Sequence, residues 1–348
     1  ILARSATEPG INEVISLMSL AAESMHISMP IGDDASRAYH ADDELAASVG
    51  SLALPSWGAI AVEIAAAHPQ PGVNPLDFVR RKYLATVHAI THRAVVSYAT
   101  RWTVPNNGPP VSPSALAISS GDIQAFMEAL HDVKETKLDL IIHSPGGSPE
   151  AAEAIVLYLR SKFDHIRVFV PHMAMSAATM IACAADEVVM GKHSFIGLID
   201  PQLQLQTSLG IRNVPAQAII DQFQRAVVEC QDPAKVRAWL PMLTQYGPDL
   251  LITCENASKL SKALVSKWLE NYMFSSDPKA HYKATAVSDW MADHNEFKTH
   301  GRPISREDAR NKDMIIIDLE ADQLLEDATV RLSCDDAYFS QARRLSKS

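Results

Sequence analysis

Two stretches decide the fold: LDLIIHSPGG at residues 138–147 and VFVPHMAMSAATMIACAADEVVMGKHSFIGLIDPQ at residues 168–202. The apolar runs Leu138–His143 and Ile166–Val170 have the length and composition of strands buried on both faces. Each run breaks into a loop that opens a helix, Pro149–Phe163 after the first and Ser176–Ala185 after the second. Glu187–Met190 and Phe195–Ile199 read as two further short strands. This strand, loop, helix rhythm predicts an α/β fold, its parallel sheet joined by right-handed crossovers and flanked by helices.

Working outward, Asn74 as N-cap and Pro75 in the first turn predict a helix to about Thr91. Ala94–Val104 reads as a strand, residues 105–110 (PNNGPP) as a loop, and Ser120–Val133 as a helix. Beyond Pro201 the pattern is mostly helical, through Val214–Glu229, Pro233–Leu243, Cys254–Tyr272, Asp277–Ala292 and Ser305–Asn311, with a late strand at Met314–Asp318. Residues 1–75 read as an accessory helical extension, with Glu13–Met25 at helical spacing, and residues 76–345 as the core domain.

Composition narrows the function. The 348 residues carry 31 Lys+Arg against 41 Asp+Glu, a net charge of −10, which argues against nucleic acid as a partner. A hydrophobic content of 47% excludes a disordered chain. Cys183, Cys230, Cys254 and Cys334 form no CxxC pair and no zinc-finger spacing, so no metal or other cofactor is expected and a reducing compartment fits. His88 and His92 stand four apart on a helix without the further ligands a metal needs. The apolar stretch Leu52–Ala67 falls short of a membrane span, and no signal peptide is visible. A cytoplasmic location is the expectation, with a leader lost before Ile1 left open.

The chemistry gathers where strands end and helices begin. His143-Ser144-Pro145-Gly146-Gly147-Ser148 brings paired glycines that let backbone N–H groups face a developing negative charge. It lacks the Lys-Ser/Thr of a phosphate-binding loop. In the second junction, Ser176 sits among small residues at a helix start, where a strand-to-helix turn lifts a hydroxyl and the next N–H is free. Each feature alone has a plainer reading, a tight turn and an N-cap. Together they suit one cleft.

Those two stretches, with CENASKLSKALV (253–265 region) and FKTHGRPISREDA (297–309), resemble the serine dehydrogenase proteinase family over roughly residues 90–320. That family belongs with the Clp protease proteolytic subunit and signal peptide peptidase A. The resemblance implies a crotonase/Clp-protease-like core, a serine nucleophile at Ser176, and an oxyanion hole from the N–H groups of Gly146 or Gly147 and of Ala177. The family writes MSGGT where this chain has MSAAT, which narrows the backbone choices but keeps the N–H. Asp200 stands where the Clp subunit carries its catalytic His. A carboxylate is a poor sole base for a hydroxyl at neutral pH, so Asp200 is read as orienting or charge-balancing another group. Lys259, on a block that carries a lysine in the family, is the expected base; Lys262, Lys235 and His193 remain candidates. His300 is read chiefly as capping the Ser305 helix.

The leading reading is an ATP-independent serine endopeptidase acting on polypeptides through an acyl-enzyme, assembled as a homo-oligomer. Two others stay open: a crotonase-type acyl-CoA enzyme using Glu150 or Glu153, and a catalytically inactive assembly or binding module on the same scaffold.

Overall fold

In the computed structural model the described residues are 2–4, 57–69, 72–100, 102, 112–207 and 210–333. The strands in chain order are β1 (Leu2–Arg4), β2 (Ala94–Thr100), β3 (Lys137–His143), β4 (His165–Val170), β5 (Met173–Ala174), β6 (Glu187–Met190), β7 (Phe195–Ile196), β8 (Gln202–Thr207), β9 (Gly210–Pro215) and β10 (Ile316–Asp318). The helices that matter for the argument are α1 (Trp57–Ala66), α2 (Pro75–Thr91), α3 (Asp122–Ala129), α4 (Pro149–Lys162), α5 (Ala177–Cys183), α6 (Ala216–Glu229), α7 (Pro233–Leu243), α8 (Leu250–Asn271), α9 (Ala280–Met291), α10 (His294–Phe297), α11 (Arg306–Arg310) and α12 (Gln323–Leu332).

Six strands, β1-β2-β3-β4-β6-β10, make one sheet in that order, and every pairing in it is parallel. The α/β class and flanking helices expected from the sequence are therefore present. The central strands are largely apolar because both faces are covered. Leu138, Leu140 and Ile142 of β3, with Val168 and Val170 of β4, enter the main core among residues of α4, α5, α8 and α9. Ile141, Phe169 and Val189 point the other way, onto Val79, Tyr83 and Val87 of α2 and Leu325, Ala328 and Leu332 of α12. A strand with one wet face would alternate; these do not.

The helix starts follow their caps. Asn74 Oδ1 accepts from Leu76 N at 2.8 Å ahead of Pro75, and Ser148 Oγ accepts from Ala151 N at 3.1 Å ahead of Pro149. Each satisfies one of the donors that a helix leaves open at its first turn. Glu63 of α1 is the point that docks the N-terminal helix: it accepts from Tyr83 Oη (2.8 Å), Lys82 Nζ (2.8 Å) and Arg331 Nη1 (2.7 Å).

At the opposite, amino-terminal edge of the strands lies a buried ion cluster. Asp139, fully buried, accepts from Arg93 Nε at 2.6 Å and from Arg167 Nε and Nη2 at 2.8 and 2.7 Å. Removing the carboxylate leaves two guanidinium groups facing each other across β2, β3 and β4. Asp139→Ala is expected to lower unfolding free energy by about 3–5 kcal/mol, the cost of breaking one side of a buried pair. Equilibrium urea unfolding measures it; a loss below about 1 kcal/mol would show the cluster to be neutral.

The structure departs from the sequence reading in several places. A two-stranded antiparallel hairpin, β8 with β9, stands where no strand was expected, and the helix expected from Val214 begins at Ala216. The alternation QLQLQT is a period-two signal that places Leu203 and Leu205 against Ala216, Ile219 and Cys254, but it is short and made mostly of residues that also favour helix. β2 ends at Thr100 and α3 spans only Asp122–Ala129. α8 begins at Leu250, ahead of the expected Cys254, and β7 is confined to Phe195–Ile196. Within residues 1–75, Leu2–Arg4 pairs with β2 and α1 is a helix. Glu13–Met25 and the loop at 105–110 lie outside the described residues. Among the described residues no helix is long and apolar enough to cross a membrane.

Candidate active site

The two glycine- and serine-bearing loops are joined by backbone hydrogen bonds beyond the ends of β3 and β4. Ser144 N donates to Met173 O (3.1 Å) and Met175 N donates to Ser144 O (3.0 Å). On the other side of the first loop, Ile118 N donates to Gly146 O (2.7 Å) and Ser148 N donates to Ile118 O (2.9 Å). The glycines are required by this closeness. A Cβ on Gly146, whose φ is +94°, would lie 2.5 Å from Met175 O and 2.6 Å from Ser176 Cβ. On Gly147 it would lie 2.2 Å from Ile118 O. Any side chain there would push the first loop off Ser176 or off Ile118.

Ser176 is held at φ 53° and ψ −120° and makes no capping bond to the helix that follows. A non-glycine residue in this region carries strain of about 1–3 kcal/mol. A serine on a sharp strand-to-helix turn is in the kind of position from which a hydroxyl can be presented to a ligand. The amides around it are not equivalent. Gly146 N–H donates to Ser144 Oγ at 3.2 Å, while the N–H groups of Gly147 and Ala177 have no acceptor among the described residues. Of the glycine pair, Gly147 is thus the one with a free donor.

Asp200 comes to this turn through strand register. β5 and β7 are parallel, with Met173 level with Phe195 and Ala174 level with Ile196. Ile304 forms an isolated antiparallel bridge with Ile196, with N···O distances of 3.1 and 2.8 Å. His300, just ahead of that bridge, lies against Asp200. They are bonded, His300 Nδ1 to Asp200 Oδ1 at 2.5 Å. His294 Nδ1 reaches Asp200 Oδ2 at 3.0 Å, and Gln202 Nε2 donates to the same oxygen at 3.2 Å. Asp200 is 2% exposed. Carboxylate oxygens accept, so a neutral imidazole that donates Nδ1–H to Asp200 has Nε2 as its acceptor nitrogen. The reading of Asp200 as a group that orients another fits this geometry.

The lysines lie elsewhere. Lys259 is 72% exposed and pairs with Glu255 one turn back at 3.2 Å. The buried residues of its helix, Cys254, Ser261, Leu264, Val265, Trp268 and Leu269, cluster on the face opposite Lys259 at 3.6 residues per turn. The structure does not bring it to Ser176. Lys262 pairs with Asp289 at 2.9 Å. Lys235 is exposed on α7, a helix with no buried residue, and His193 is exposed in the turn 191–194. Glu150 accepts from Ser148 Oγ at 2.6 Å in the α4 cap. The buried thiol of Cys183 is pushed up to about 12 by desolvation, which removes it as a competing nucleophile.

His143, which ends β3, stacks between Trp102 (5.9 Å) and His172 (5.4 Å), its Nδ1 3.1 Å from Met173 O. Burial first, and then the neighbouring His172, hold it down at about 4, from an ordinary value near 6.5. The folded state therefore refuses a proton that the unfolded chain accepts. Stability contributed here is present above pH 6.5 and is lost as pH falls toward 4, by roughly 2–3 kcal/mol in all. Urea unfolding at pH 7 and pH 4.5 measures the drop. His143→Asn, which places a non-titrating polar atom near Nδ1, is expected to shrink it; an unchanged drop would remove His143 as its source.

Sequence reasoning missed His294, and took His300 as a cap, because they lie 94 and 100 residues from Asp200. No local spacing signals such a contact. Among the described residues no group of three or more His, Cys, Asp or Glu is arranged to hold a metal.

Comparison with known proteins agrees with the motifs. Residues 118–238 match the model of the ClpP-like SDH-type serine proteinases. Two uncharacterised proteins of Methanocaldococcus jannaschii are similar: MJ1495, 31% identical over 165 residues, and MJ0137, 35% identical over 164 residues. Each alignment covers 44% of this chain, and the chain spans about half the length of these relatives, 54% and 55%. Among solved structures, two variants of the 1510-N membrane-bound stomatin-specific protease align over 58% of this chain and 74% and 70% of theirs. Their identities are 11% and 12% and their TM-scores 0.34 and 0.36; one is in complex with a substrate peptide. Over residues 118–238 the chain is thus similar to the ClpP-like SDH-type serine proteinases, as the motifs led one to expect.

Proposed function

We propose that the chain is a serine endopeptidase that cleaves polypeptides through an acyl-enzyme on Ser176. Asp200 orients the Nδ1–H of His300, and His300 Nε2 takes the Ser176 proton as the hydroxyl attacks the scissile carbonyl. The oxyanion is met by the N–H groups of Gly147 and Ala177. His300 then gives the proton to the leaving amine, and water repeats the sequence to release the acid. The observation that supports this reading is the bond between His300 and buried Asp200, on the segment that continues from β7, the strand paired with β5 two residues before Ser176. His300 replaces Lys259 as the base in this reading, because a lysine base needs desolvation and Lys259 is solvated and ion-paired.

A neutral, extended peptide suits a site whose reaction donors are backbone amides, and nothing in the scheme requires ATP. The division into an accessory region, 1–75, and a peptidase core, 76–345, belongs to the same reading. So does a homo-oligomer, supported by exposed Val227, Val228, Leu240 and Ile252 on α6, α7 and α8. A fluorophosphonate probe tests the chemistry. The expected result is one adduct, located by mass spectrometry on the peptide containing Ser176. A folded sample that takes no probe would overturn the peptidase reading.

A further inference from the structure

Between the nucleophile and its partners lies a side chain that the scheme above does not use. Thr179, on the first turn of α5, is fully buried. Its Oγ1 donates to Ala174 O at 2.7 Å and accepts from Gly197 N–H at 2.9 Å. One hydroxyl thus ties three things: the residue two before Ser176, the helix that follows Ser176, and the strand end that continues to Asp200. Both backbone partners sit in the short β5/β7 region, where the ladder registers only two residue pairs. At that point Gly197 also presses on Met175, a Cβ there meeting Met175 Cε at 2.7 Å. The turn bearing Ser176 and the segment bearing Asp200 therefore meet with little ladder to fix their separation.

We infer that Thr179 is a positioning residue: its hydroxyl sets the spacing between Ser176 and the Asp200–His300 pair. This rests on the peptidase reading above. A helix-start threonine ordinarily turns its hydroxyl to solvent or to its own helix; this one faces across to another segment and saturates both its donor and one acceptor site. Its β-branch holds χ1 in a narrow range, which suits a spacer. In-line attack and proton transfer need the reacting atoms within about 3–3.5 Å, so small displacements are felt chiefly in turnover.

The test compares Thr179→Val, which keeps the shape and removes the hydroxyl, with Thr179→Ser, which keeps the hydroxyl. Active sites are titrated with the fluorophosphonate probe so that any unfolded fraction drops out, and kcat and KM are measured per titrated site on a fluorogenic peptide. The expected result for T179V is a kcat lowered at least 10-fold with KM within 2-fold, and for T179S a kcat within about 3-fold of wild type. If T179V does not fold, Thr179→Ala, with room for a water at the vacated position, serves as the hydroxyl-free variant and carries the same expectation. A hydroxyl-free variant that turns over at the wild-type rate per titrated site, at whatever thermal stability, overturns the positioning role alone. A wild-type chain that the probe does not label overturns the peptidase reading and this inference with it.

Discussion

Replacing Ser176 by alanine is expected to lower peptide hydrolysis by at least about 10⁴-fold while the fold persists, since the nucleophile and its base act as a unit. The change also separates chemistry from strain. Alanine keeps the Cβ, so the φ 53° backbone stays as costly as in wild type. Glycine at the same position adopts that conformation freely. Ser176→Gly should be equally inactive yet more stable, relief of about 1–3 kcal/mol of strain outweighing about 0.5–1 kcal/mol of added chain entropy in the unfolded state. Calorimetry of the two variants decides it. S176G melting below S176A would mean that the turn is not strained, and hydrolysis surviving in S176A would remove Ser176 from the mechanism.

The second large effect is expected at Asp200. An asparagine there offers one oxygen and one NH₂ where the carboxylate offered two acceptors to His294 and His300. The imidazole facing the NH₂ must accept at Nδ1, so its proton moves to Nε2, and a protonated Nε2 takes nothing from a serine hydroxyl. If His300 is so turned, kcat falls by about 10³–10⁴-fold with folding intact. The single imidazole variants show which ring is the base. His300→Ala should match the Asp200→Asn loss, and His294→Ala should cost about 10-fold through a less restrained carboxylate. The reverse ranking would transfer the base role to His294. Wild-type turnover in D200N would discard the carboxylate altogether.

Much of this molecule was legible in its sequence, and the illegible part has a physical pattern. β3 and β4 announced themselves because both of their faces are buried, leaving no polar register to confuse them. The β8/β9 hairpin is hard to read because its alternation runs over only six residues, mostly Gln and Leu, that favour helix equally. Ser176 and the glycine pair were recognisable for a local reason, since their loops need small residues wherever backbone packs on backbone. The partner of Asp200 was not local at all. It comes from 100 residues away, beside an antiparallel bridge of Ile196 with Ile304 that no window of sequence contains. Lys259 illustrates the complementary failure: the motif put it on a helix, but the burial of Ser261, Leu264 and Val265 put it on that helix's outer side.

The single returning bridge also imposes an order in time. A ribosome delivers the glycine loop and Ser176 long before it delivers His300, with α6, α7, α8 and α9 made in between. On the proposed mechanism, a nascent chain holding a complete nucleophile and oxyanion hole has no base until the segment bearing His300 and Ile304 emerges and closes on Ile196. Synthesis itself then acts as a safety catch, keeping an unfinished peptidase from attacking its own unfolded chain.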